Sequence, residues 1–208
     1  MEDTSQGRAD IALLHRIAHE RTKGKAEGGY NYRTQRANIR RGADAFTETF
    51  AYPYVYPALP PDATPKQRTT LLRVAALVAE FTNVPALENE TEKKYKPFGV
   101  WCAELSSAWA KQKSDTGKAS FDPRNPDHIA QRLAYLHTQD FEEAYRTIWR
   151  IMQMANTLNA APSCDYIAIY SLLSRWGNGV SEGSRGVRAS VLKDYYGNVG
   201  RTKDNTEN

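Results

Sequence analysis

The segment from Thr64 to Phe81 constrains this chain more than any other. Thr64-Pro65 offers an N-cap hydroxyl followed by proline at the first helical position, where the missing N–H is no loss. Leu71, Leu72, Ala75, Val78 and Ala79 recur at helical spacing, and Val74, Leu77 and Phe81 widen the stripe until it is apolar nearly all round. Such a helix has no face to give to water and belongs at a domain centre. The apolar run is interrupted by Arg73 and Glu80 and is too short to span a bilayer.

The other periodic segments also repeat at the helical spacing, with no convincing strand alternation. Arg8 to Arg21 reads as a first helix with Ile11, Leu14, Ile17 and Ala18 on one face. Arg33 to Arg41 is a short basic helix, ended by Gly42 as a left-handed cap. Ala43 to Tyr52 suggests another short helix before Pro53, in which Phe46 and Phe50 belong to the core. Pro53 to Pro65 is a Pro-rich connector, either ordered and packed by its tyrosines or mobile. Asn83 to Pro97 reads as a loop and Phe98 to Lys111 as a helix carrying Trp101, Leu105, Ala108 and Trp109. The polar stretch from Lys111 to Asn125 is the expected domain boundary.

The last third carries four amphipathic helices with short loops. Asn125-Pro126 opens the first, with Ile129, Leu133 and Leu136. Asp140 and Glu143 make a capping box for the second. Asp165 caps the third, which Gly177 ends. Val187, Val191, Leu192 and Tyr195 form the fourth, stopped by Gly197. The expectation is an all-α protein of two helical domains. Residues 1–118 form an N-terminal helical bundle and 119–197 an antiparallel four-helix bundle, with 198–208 a disordered tail.

Catalytic patterns fail when their geometry is spelled out. His15 and His19 share a helix face, but Arg16 follows His15 and no third ligand is suggested, so no metal site is expected. Thr116-Gly117-Lys118-Ala119 lacks the Ser or Thr of a phosphate loop and no strand precedes it. The glycines from Gly177 to Gly186 follow a helix, not a strand. Glu142 and Glu143 are adjacent and diverge. The chain is therefore read as not an enzyme and without a cofactor. Cys102 and Cys164 read as buried thiols of a reducing cytoplasm. The polar N-terminus, MEDTSQGRAD, is not a signal peptide, so the expected location is cytoplasmic, with no membrane partner.

Net charge is only +4 over 208 residues, so a polyanionic partner must be argued from where the charge sits. No acid falls between Glu27 and Asp44, yet Arg33, Arg36, Arg40 and Arg41 do. The steps 33→36→40 put three guanidinium groups on one helix side, and aromatics flank them from Tyr30 to Tyr56. Lys66 and Arg68 open the central helix, where lysine opposes the dipole and suits an added anion. Arg73 follows. Arg132, then Arg146 with Arg150, then Arg175, then Arg185 with Arg188 decorate the four C-terminal helices. Singly, each reads as a surface arginine with its stem on apolar neighbours. Together they make a basic stripe across both domains plausible.

Three stretches, ANIRRGADAFTETFAYPYVYP (Ala37 to Pro57), TPKQRTTLLRVAALVA (Thr64 to Ala79) and DYIAIYSLLSRWG (Asp165 to Gly177), resemble the CasB family in order and spacing. QRLAYL (Gln131 to Leu136) and WRIM (Trp149 to Met152) fit the same pattern. CasB is the small subunit of the type I-E CRISPR Cascade complex, an antiviral ribonucleoprotein. The sequence departs from the family by insertions around Asn83 to Tyr95 and Gly179 to Gly186 and by an extended N-terminus. The resemblance implies a non-catalytic protein present as two copies, head to tail, against the backbone and large subunits. It implies contact with CRISPR RNA and target DNA, supporting the guide–target duplex and holding the displaced non-target strand of the R-loop. By position, Arg40 and Arg41 match the family's Arg-Arg pair, Lys66 and Arg73 its Leu-Leu-Arg helix, and Arg132 and Arg150 its bundle; Arg185 and Arg188 match loosely. With Arg36, Arg68 and Arg146 these are the expected nucleic-acid-binding residues. A purely structural assembly protein and a helical DNA-binding regulator, with Gln35 and Asn38 reading bases, are the alternatives.

Overall fold

Capping chemistry decides where several of the helices begin. In the computed structural model, which describes residues 9–24, 31–87, 95–113 and 125–199, Asn31 accepts from Arg33 and Thr34 to open α2. Thr64 and Gln67 form the capping box of the central helix, and Asp140 and Glu143 that of a later one. Each box satisfies two amides that a helix start leaves without partners. The described residues contain helices and turns but no strand; Ala86 and Cys164 form an isolated parallel bridge. The chain is all-α.

Two compact units divide between Thr82 and Asn83. In the first, α1 is Ala9–Glu20, α2 Tyr32–Arg40, α3 Tyr52–Val55 and α4 Pro65–Glu80. From Thr70 to Ala79 every residue of α4 is buried, and α1 and α2 both pack on it. The expected centre is the centre. Arg21, just past α1, is buried and donates to the carbonyls of Val78 and Phe81 at 2.9 and 3.1 Å. A fixed cation there closes the negative end of α4.

Between α2 and α4 the chain departs from expectation. Three 3₁₀ turns, Arg41–Ala43, Glu48–Ala51 and Tyr56–Ala58, surround α3, so no single helix runs from Ala43 to Tyr52. Pro53 sits in the first turn of α3, where proline is tolerated. Gly42 is not left-handed: among the described residues positive φ occurs only at Gly177 and Gly179. Its value is closeness, because a Cβ there would lie 3.0 Å from the Leu72 carbonyl oxygen of α4.

The second unit holds α5 (Phe98–Lys113), α6 (His128–Ala134), α7 (Phe141–Ala155), α8 (Tyr166–Ser174) and α9 (Glu182–Val199). The boundary expected at 118 lies outside the described residues, and α5 clusters with the later helices. The physical reason is Gly99. A Cβ there would fall 2.2 Å from the Val191 carbonyl oxygen, so α5 and α9 meet nearly backbone to backbone. Farther along, Ser106 and Tyr195 share a buried hydroxyl hydrogen bond of 3.0 Å. Four helices are thus joined by a fifth.

Smaller corrections follow the same logic. Asp127, not Asn125, caps α6, accepting from Ile129 and Ala130. Gly197 does not stop α9, which continues to Val199; of the expected tail, residues 200–208 lie outside the described residues. Cys102 and Cys164 are both buried and unbridged, and burial pushes the Cys102 thiol well up, away from the reactive thiolate.

Candidate nucleic-acid interface

Eleven basic side chains were expected at a surface, and the structure sorts them by what already holds them. In the first unit Arg73 is a fastener. It is 2% exposed, donates to the Gly42 carbonyl at 2.7 Å and pairs with Glu48 at 2.8 Å. A guanidinium sealed in this way cannot reach a phosphate, which removes Arg73 from the set. Arg36 is half-buried and donates to the Arg21 carbonyl at 2.8 Å, tying α2 to the end of α1. Arg40 pairs with Glu80 through both its Nε and its Nη2, the latter at 2.8 Å. That pair is exposed, and such pairs contribute only about 0–1 kcal/mol, so a phosphate can compete for Arg40. Lys66 and Arg68 are exposed in the first turns of α4, and their charged groups make no hydrogen bond or ion pair among the described residues.

Arg41 is exposed and lies with its guanidinium carbon 4.1 Å from the centre of the Phe50 ring. Phe46 and Phe50 are not core: they are 95% and 51% exposed. Spacing of four residues predicts a shared helix face, but the backbone here is turn and 3₁₀ helix, so that periodicity does not apply. The tyrosines of the connector behave differently. Tyr52 and Tyr56 stack at 4.1 Å. The Tyr52 hydroxyl bonds to Glu48 at 3.0 Å. Its neighbour Tyr56, burial and the Glu48 carboxylate hold its phenol above the ordinary value.

In the second unit Arg188 is the counterpart of Arg73. It is 5% exposed and donates to the carbonyls of Trp176, Gly177 and His137 while stacking on the Trp176 ring. Positive charge on carbonyls just past the end of α8 suits the dipole, and it locks the turn made by Gly177 and Gly179. Arg188 therefore also leaves the set. Arg185 and Arg146 are exposed.

Arg132 and Arg150 come from different helices, α6 and α7, and converge. With Gln131, Tyr135, Gln139 and Thr147 they line an open depression of about 330 Å³. None of these six side chains is acidic. No hydrogen bond or ion pair among the described residues engages either guanidinium. The Thr147 hydroxyl donates to Gln139 Oε1 at 2.8 Å, which leaves the Gln139 amide nitrogen for the depression it lines. Tyr135 is 71% exposed. The sequence reading named Arg132 and Arg150 but missed Tyr135 and Gln139. Its available signal was spacing: Gln131 and Arg132 stand four and three residues before Tyr135, which groups them on one helix side.

No cluster of three or more His, Cys, Asp or Glu among the described residues could hold a metal ion. No described helix is long and apolar enough to cross a membrane. A search of curated proteins finds no match. Two solved structures share the fold. The crystal structure of TTHB189, a CRISPR-associated protein of the Cse2 family from Thermus thermophilus, is 18% identical, with 93% of this chain and 98% of that chain covered and a TM-score of 0.56. The crystal structure of CasB from Thermus thermophilus is 16% identical, covering 90% and 97%, also at 0.56. The family model for CRISPR-associated protein Cse2 matches residues 35–196, a span that includes both the Arg40–Arg41 pair and the Arg132–Arg150 depression. The chain belongs to the Cse2 (CasB) family of CRISPR-associated proteins.

Proposed function

We propose that this chain is the small subunit of a type I-E Cascade complex, present as two copies, which holds the displaced non-target strand and supports the guide–target duplex without catalysing a reaction. The observation that carries this reading is the Arg132–Arg150 depression, an acid-free concavity lined by two guanidinium groups in a member of the Cse2 family. Arg40, Arg41, Lys66, Arg68, Arg146 and Arg185 add exposed positive charge on their own units.

A displaced strand has arbitrary sequence, so its holder needs phosphate contacts and planar surfaces rather than base-edge readers. Guide pairing supplies specificity, and strand exchange is close to balanced. Small contacts then matter: three exposed arginines at ~0.5–1 kcal/mol each shift the opening equilibrium by roughly tenfold or more. Complexes carrying Arg40→Ala, Arg41→Ala and Arg150→Ala together are expected to bind supercoiled target plasmid more weakly and to need more negative supercoiling. Wild-type binding by the triple variant at several salt concentrations would falsify the reading. It would favour instead a purely structural assembly role, for which the nearly bare Phe46 ring is the one supporting feature.

A further inference from the structure

The Arg132–Arg150 depression differs in kind from a basic stripe, because it contains a plate as well as charges. Tyr135 ends α6 and is 71% exposed, although a phenol ring gains by leaving water. Its helix is anchored by Ile129, Ala130 and Leu133, all buried, so the ring is presented from a fixed backbone. Leu136, the next residue, is buried as well. Arg150 stands on a helix whose neighbouring side chains Ile148, Ile151 and Met152 are fully buried, so its stem is likewise well rooted.

Gln139 is fixed at both ends. Its carbonyl oxygen accepts from the Trp176 indole at 3.0 Å, and its side-chain oxygen accepts from Thr147. The groups offered to the depression are thus two guanidinium groups, an oriented amide nitrogen and an aromatic face. An isolated inorganic anion would use only the donors; an acidic peptide would leave the ring idle. A nucleotide of a single strand uses all of them, since its phosphate takes the cations and its base has a π-face. A duplex keeps its bases stacked on one another and offers no free face to Tyr135.

We propose that this depression is a single-nucleotide seat, in which one unpaired base stacks on Tyr135 while the adjoining phosphate lies between Arg132 and Arg150 with Gln139 donating to the same backbone. The proposal rests on the strand-holding function above and adds a base-dependent contact to it. The seat is indifferent to base identity and sensitive to base presence.

The test compares complexes carrying wild-type chain, Tyr135→Ala, Tyr135→Phe or Arg132→Ala/Arg150→Ala on targets whose displaced strand is either ordinary or abasic throughout. The readout is the rate at which the opened duplex collapses. The ordinary strand should collapse roughly fivefold or more faster with Tyr135→Ala than with wild type, whereas Tyr135→Phe, which keeps the ring, matches wild type. On the abasic strand wild type and Tyr135→Ala should collapse alike, while the double arginine variant is faster on both strands. If Tyr135→Ala matches wild type on the ordinary strand while the arginine variant collapses faster, the seat is wrong and strand holding stands. Acceleration by Tyr135→Ala that persists undiminished on the abasic strand also overturns the seat. If neither variant changes the rate, strand holding itself fails and the seat with it.

Discussion

The arginine-rich stretch around α2 and the depression between α6 and α7 make opposite use of the same side chain. Along the first, Arg36 is spent on a carbonyl of its own unit and Arg40 is lightly tied to Glu80, while Arg73 reaches across from α4 to the Gly42 carbonyl and Glu48. Arg33 and Arg41 there are exposed, Arg41 lying on the Phe50 ring. In the second region two isolated arginines, eighteen residues apart in sequence (132 to 150), face one open space with no described partner. Density of charge along the chain therefore marks where fasteners are needed as readily as where a ligand binds. Convergence of unpaired donors in space is the better sign of a site.

The sharpest way to break this contrast is to remove one arginine of each kind. Arg73→Ala leaves Glu48 and the Gly42 carbonyl without their donor. Losing one partner of a buried pair costs ~3–5 kcal/mol, and Glu48, with its side chain 18% exposed, places the expected loss near the lower end. Arg150→Ala should change stability by no more than ~0.5 kcal/mol. Urea unfolding of the two variants checks both; comparable losses would mean that Arg150 is a fastener too.

Gly99→Ala tests whether the second unit depends on close approach of α5 to α9. A methyl group 2.2 Å from the Val191 oxygen cannot be accommodated in place, and overpacking of this sort costs ~1–3 kcal/mol. A lowered thermal midpoint is expected, with the helices still formed by circular dichroism. An unchanged midpoint would show that α5 is free to move off α9.

The smallest expected effect belongs to Asp194, whose carboxyl burial pushes above its ordinary value. The folded state then binds a proton more readily than the unfolded chain, so stability falls as pH rises from the unfolded value of ~3.9 through the raised folded one. Asp194→Asn should slightly raise the midpoint at neutral pH, with the gain vanishing in acid below that window. A gain that persists unchanged at low pH would point to packing rather than charge.

Helix starts were legible because capping is local: Thr64, Asp140 and Asp165 each bond to the amide three residues ahead, and each begins a helix as expected. Apolar spacing also located α4 as the buried centre. Spacing failed where the backbone was not α-helical. Phe46 and Phe50 were placed in the core by a period that 3₁₀ turns do not have. Glycine was misread in the same manner. Gly42 and Gly197 carry no local signal that separates a cap, a close contact and an ordinary helical position.

What the chain alone determined is the helical class, the central helix, most of the caps and the family resemblance, because each depends on residues near one another in sequence. Tertiary structure alone decided which arginines are fasteners and which are free. The partners of Arg73, at Gly42 and Glu48, lie 31 and 25 residues away, and the acceptor at His137 for Arg188 lies 51 residues away. A guanidinium satisfied across such separations is written no differently from one left open to a ligand.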